Sequence, residues 1–137
     1  AEKKIDEKVL TGGRLYPDMF PLTRQVLIAC DVAKGCGARL AGIEVPKYED
    51  NEVTFADLQA RIEKTIDFLK SIPEASINGS EQKQIKLQAG QRELEFVGEY
   101  FLRNWALPNV YFHITTAYNI LRHNGVAVGK MDFLGGQ

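Results

Sequence analysis

The stretch from Met19 to Ala41 constrains the fold more than any other part of this 137-residue chain. Asp18 stands where a helix cap belongs, and Pro21 falls within the first turn, where backbone donors are free and proline is tolerated. Gly42 and Pro46 end the run. In between, Phe20, Leu22, Val26, Leu27, Ile28, Ala29, Cys30, Val32, Ala33, Cys36 and Leu40 leave little polar surface. A helix this apolar is buried on more than one side. The chain has the size of one compact domain, so a bundle around this helix is expected. Gly35 and Gly37 each cost about 1 kcal/mol of helix propensity relative to alanine, a cost usually offset by close approach of another helix.

Two further long helices can be read. Thr54 and Asp57 have capping-box spacing, and Phe55, Leu58, Ile62, Ile66 and Leu69 recur with a helical period. Asp57, Arg61, Glu63, Lys64, Asp67 and Lys70 mostly take the opposite face, and Pro73 ends the helix. The last long helix lies between Pro108 and Gly125, with Asn109 as its expected N-cap and Asn124-Gly125 as its stop. At about 100° per residue, Val110, His113, Ile114, Ala117, Ile120 and Leu121 share one face. His113 therefore lies within an apolar stripe, while His123 sits at the helix end, where the dipole favours a cation.

The connections are of several kinds. Residues 1–16 read as polar chain with one helical turn near Ile5–Leu10. Residues 43–53 form a loop whose Glu49, Asp50 and Glu52 are expected to be solvated rather than to bind metal. After a polar loop at 74–82 the period changes to two. Ile85, Leu87 and Ala89 alternate with polar residues, as do Leu94 and Phe96, with Ala89-Gly90-Gln91 between them, so a short β-hairpin is expected. Gly98 breaks the strand, a short helix over 99–106 carries Tyr100, Phe101 and Trp105, and Leu107-Pro108 turns the chain into the last helix. The apolar residues of the 126–137 tail would have to pack back onto the bundle.

Several function classes fall away on totals. Net charge is −1, against the basic excess of a nucleic-acid-binding surface. No apolar run approaches the ~20 residues of a membrane span. The charged start lacks a signal-peptide pattern and an initiating Met, so a cytoplasmic protein with a processed or truncated start is expected. Cys30 and Cys36, six residues apart on one helix and on different faces, cannot bridge each other. Two buried, reduced thiols are the expectation. No P-loop, dinucleotide-binding glycine motif, Cys-x-x-Cys or Ser-His-Asp set is present.

Taken together, Asp18-Met-Phe-Pro-Leu-Thr-Arg-Gln25, Arg39-Leu-Ala-Gly42, Thr54-Phe-Ala-Asp-Leu-Gln-Ala-Arg61, the whole of Pro108 to Gly125 and Gly129-Lys-Met-Asp-Phe-Leu-Gly135 resemble a bacterial family of unknown function within the DinB/YfiT-like metalloenzyme superfamily. The resemblance runs from about Leu15 to Gly135. It implies a mainly α, up-down helical bundle with the short β-hairpin before the last helix. It also implies a further helix ahead of the segment that begins here, so that either the native chain starts upstream or something else completes the bundle. Its metal-binding members use three histidines, one on the second bundle helix and a His-x-x-x-His pair on the last. Here His113 resembles the first of the pair, but Ala117 stands four residues on, and no histidine lies between Gln25 and Asp31. His123 is ~15 Å further along the helix and cannot substitute.

The expected role of His113 is therefore a satisfied imidazole, paired with Asp31 or a tyrosine, at the edge of a small-ligand pocket that also draws on Gln25, Tyr118 and Trp105. No cofactor is expected; a divalent metal, nickel or zinc, at His113 is the alternative. Thiol- or metal-dependent transferase or hydrolase activity with a reduced site is the competing functional reading, and a homodimer is an expected assembly.

Overall fold

The computed structural model describes residues 4–136. In chain order they form α1 (Glu7–Thr11), α2 (Leu22–Ala41), α3 (Phe55–Ser71), α4 (Glu74–Ile77), β1 (Gln84–Ala89), β2 (Arg92–Val97), α5 (Gly98–Tyr100), a π-helical segment (Phe101–Ala106), α6 (Leu107–His123) and α7 (Lys130–Phe133). The architecture is mainly helical with a two-stranded antiparallel hairpin before the last helices, as expected. No helix among the described residues is long and apolar enough to cross a membrane.

α2 is the central rod. It packs against α6 on one flank and α3 on the other. Leu22 clusters with Ala117 and Ile120, whereas Cys36 and Leu40 cluster with Phe101 and Ala106, so α2 and α6 run antiparallel. Asp31 meets Arg61, and the missing Cβ of Gly37 would lie 2.7 Å from Leu69 and 2.9 Å from Ile72, so α2 and α3 run in the same direction. The loop at 43–53 is long because it must carry the chain back along the bundle. Gly37 is thus the close-approach glycine that the sequence asks for.

Element ends follow local chemistry, with corrections. Asp18 does not cap α2; the cap position falls on Pro21, which has no side-chain cap bond. The segment before α2 does that work instead: the Leu22 N–H donates to the Gly13 carbonyl at 2.8 Å, and the Thr23 hydroxyl donates to the Thr11 carbonyl. Gly42 ends α2 in the left-handed conformation, φ 73°. Thr54 and Asp57 make the full capping box on α3, and Gly90, φ 62°, turns the hairpin. The hairpin pairs Ile85 with Phe96 and Leu87 with Leu94, and Ile85 is buried in the cluster around Phe101.

Leu107-Pro108 does not turn the chain. The helix runs straight through from α5, and a π segment precedes the proline. Proline has no N–H and its ring crowds the preceding turn; a wider π turn accommodates both, with the Leu107 N–H donating five residues back to Leu102. Asn109 accordingly is not an N-cap. Its side-chain amide donates back to the Trp105 carbonyl at 2.7 Å. The tail packs back only lightly: Phe133 meets the Tyr118 ring edge-on, while Met131 and Leu134 stay exposed.

Candidate functional site

His113 lies half-buried on α6, facing α2. Its Nδ1 is 2.6 Å from Oε1 of Gln25, a residue 1 % exposed in the seam between the two helices. The Nε2 of Gln25 donates to the Phe20 carbonyl, which fixes the amide with its oxygen toward the imidazole. An amide oxygen only accepts, so His113 Nδ1 carries the proton and Nε2 holds a lone pair. Burial pushes the imidazole pKa below its ordinary value, which favours the neutral ring at pH 7. The result is an imidazole of fixed tautomer whose Nε2 is a hydrogen-bond acceptor.

Beside this pair runs an apolar groove of about 360 Å³. α2 supplies its floor with Val26, Ala29, Cys30 and Ala33. α3 supplies Ile62, Thr65, Ile66 and Leu69, and α6 supplies Ile114 and Ala117. Gln25 is adjacent to Val26 and one turn before Ala29; His113 is adjacent to Ile114 and one turn before Ala117. Neither Gln25 nor His113 lines the groove itself; the pair lies one helical turn before Ala29 and Ala117, which do. Ile62, Ile66 and Ile114, placed on inward faces by the periodicity, are 39 %, 43 % and 41 % exposed on the groove rims.

The remaining residues singled out from sequence lie elsewhere. Asp31 does not pair with His113. Its Oδ1 accepts from Lys34 at 2.9 Å and from Arg61 at 3.0 Å. Tyr118 packs on Phe133. Trp105 lies against Phe96 and the Phe101 cluster, at the far end of the helix pair. His123 is exposed at the end of α6. Among the described residues, no group of three or more His, Cys, Asp or Glu side chains is placed to hold a metal ion, so the donor set does not fit the three-histidine centre. Cys30 is buried in the groove floor, and burial raises both thiols, Cys36 to about 11.

A second constellation centres on Arg61. Arg61, assigned by periodicity to the polar face of α3, is buried. Leu58, Arg61 and Thr65 form the inward stripe of α3, and the guanidinium takes the Glu49 carbonyl, Glu52 Oε1 at 2.8 Å, Asp31 and Asp50. Burial works against the charge on Arg61, but Asp31 and Glu52 outweigh it and raise its pKa. The 43–53 loop is thus an ionic strap, not a solvated connector: Glu52 is 8 % exposed and Asp50 also holds Arg24 at 2.7 Å. Tyr48 lies under three cations, Lys34, Lys64 and Arg61, at 3.9, 4.1 and 4.9 Å from its ring centroid. The sequence signal was there: three acidic residues within four positions of a loop call for a cation from the helices they cross.

An open helical bundle with a hairpin inserted before its last helix defines a protein of DinB type. A crystal structure of a DinB family member protein from Shewanella denitrificans matches it with a TM-score of 0.88 and 45 % identity, over 99 % of this chain and 77 % of that chain. The chain belongs to the DUF1993 family, described as a domain of unknown function, whose model matches residues 1–134. No curated protein matches it.

Proposed function

We propose that this protein binds a small, largely apolar molecule beside His113 and acts without the three-histidine metal centre. The observation that carries the reading is the His113–Gln25 pair. It spends a buried amide on fixing one tautomer, which leaves Nε2 as a hydrogen-bond acceptor on a residue one helical turn from the Ala117 that lines an apolar groove whose volume lies in the range of ligand sites. A ligand with an apolar body and one N–H or O–H donor matches that combination. The same reading places the protein in the cytoplasm, where buried thiols stay reduced, and allows a homodimer.

Indole and phenol serve as probes, each an apolar ring with one donor. Either should raise the melting temperature in a dose-dependent way, since a ligand at about 100 times its Kd adds roughly 2.7 kcal/mol. His113→Ala should weaken the effect about fivefold or more, the worth of one hydrogen bond of about 1 kcal/mol. No stabilisation by either probe would refute the small-ligand reading and leave the groove as a seat for a further helix. Stoichiometric zinc or nickel on protein purified without a metal column, lost in His113→Ala, would move the assignment to the metalloenzyme alternative.

A further inference from the structure

Gly37 is explained by close contact with α3, but Gly35 is not explained by any neighbouring helix. The space its missing Cβ would fill is taken by Nη1 of Arg39, from the next turn of α2 itself. The glycine lets the guanidinium fold back along the helix. There Arg39 lines a cavity of about 470 Å³ together with Lys34, Lys47, Tyr48, Asp31 and Asp50. Half-buried, Arg39 makes no hydrogen bond or ion pair among the described residues. Burial pushes its pKa below the ordinary guanidinium value, the mark of a charge short of compensation.

Two carboxylates border the cavity, and both are engaged. Asp31 accepts from Lys34 and Arg61, and Asp50 accepts from Arg24 and Arg61. Lys34 is 4 % exposed; one of its three donors goes to Asp31, and its ammonium rests on the Tyr48 ring. Lys47 is exposed on the loop and has no anionic partner among the described residues. Positive charge is thus in excess at an open cleft, and a guanidinium fork matches paired oxygens of a carboxylate or phosphate.

We propose that Arg39, Lys34 and Lys47, with Tyr48, form a binding site for a small oxyanion, the carboxylate or phosphate group of a metabolite-sized molecule. The site is independent of the His113 reading: Arg39 lies about 21 Å along α2 from Gln25.

The test is thermal unfolding and calorimetric titration of the 137-residue protein with inorganic phosphate and, separately, with succinate, each against sodium chloride at matched ionic strength. One or both anions should raise the melting temperature beyond the chloride control, and which one does so distinguishes phosphate from carboxylate. Arg39→Gln should weaken binding at least about tenfold. Gly35→Ala is the sharper variant. Its methyl displaces the guanidinium while improving helix propensity, so the unliganded protein should melt at the same temperature or higher, yet bind the anion at least about tenfold more weakly. No anion-specific shift in the wild type up to about 20 mM, or a shift kept in full by both variants, would overturn the proposal.

Discussion

Replacing Arg61 by Met separates the buried part of its ionic cluster from the exposed part. The side chain is 2 % exposed, and so nearly is its partner Glu52 at 8 %, whereas Asp31 and Asp50 are each 41 % exposed. When the guanidinium goes, water can reach the two aspartates, whose loss is worth the 0–1 kcal/mol of surface pairs. Glu52 cannot be solvated in place. Leaving one buried ion without its partner costs roughly 3–5 kcal/mol. Arg61 Nε and Glu52 Oε2 have no hydrogen-bond partner among the described residues, so the lower end, about 3 kcal/mol, is expected; Met keeps most of the volume. Urea unfolding followed by far-ultraviolet circular dichroism should show a lower midpoint at unchanged slope. Adding Glu52→Gln removes the stranded charge, so the double variant should be more stable than Arg61→Met alone, with a coupling of about 2 kcal/mol. A loss below about 1 kcal/mol in Arg61→Met, or a double variant no more stable than the single, would refute the view that a buried pair straps the loop to the bundle.

Two further outcomes follow from other parts of the molecule. Gly98→Ala should destabilise by about 2 kcal/mol or more in the same assay, because the new methyl would collide with the Ser80 carbonyl oxygen, a backbone atom that cannot move aside cheaply. The depressed pKa of His113 makes its contribution to stability fully present above the ordinary imidazole value of about 6.5 and lost as pH falls through the lower folded-state value. His113→Gln should remove that slope from a stability–pH profile, and an unchanged slope would show that the imidazole is not the titrating group.

Much of the fold was legible along the chain. The capping box at Thr54, the left-handed Gly42 and the period-two strands around Gly90 are local chemistry, settled within a few residues of where they are read. His113 and Gln25 both stand out in the sequence, yet the expected partner of the histidine is Asp31 or a tyrosine. The helix crossing puts Gln25, 88 residues away in sequence, against Nδ1 and gives Asp31 to Arg61. Where continuous helix replaces the expected turn at Leu107-Pro108, the π segment is the reason, since it removes the clash that makes proline a stop signal.

By itself the sequence determined the helical bundle, its hairpin and the absence of a second histidine at position 117, because periodicity, caps and residue identity are local properties. Tertiary structure alone decided that Arg61 turns inward, that Arg39 lies over Gly35, and that Ile62, Ile66 and Ile114 rim an open groove. The physical reason is common to all three. A helical period says which residues share a face, but which face is buried depends on what the neighbouring elements bring to it: carboxylates from the 43–53 loop for Arg61, a missing side chain for Arg39, and an open flank of α2 for the isoleucines.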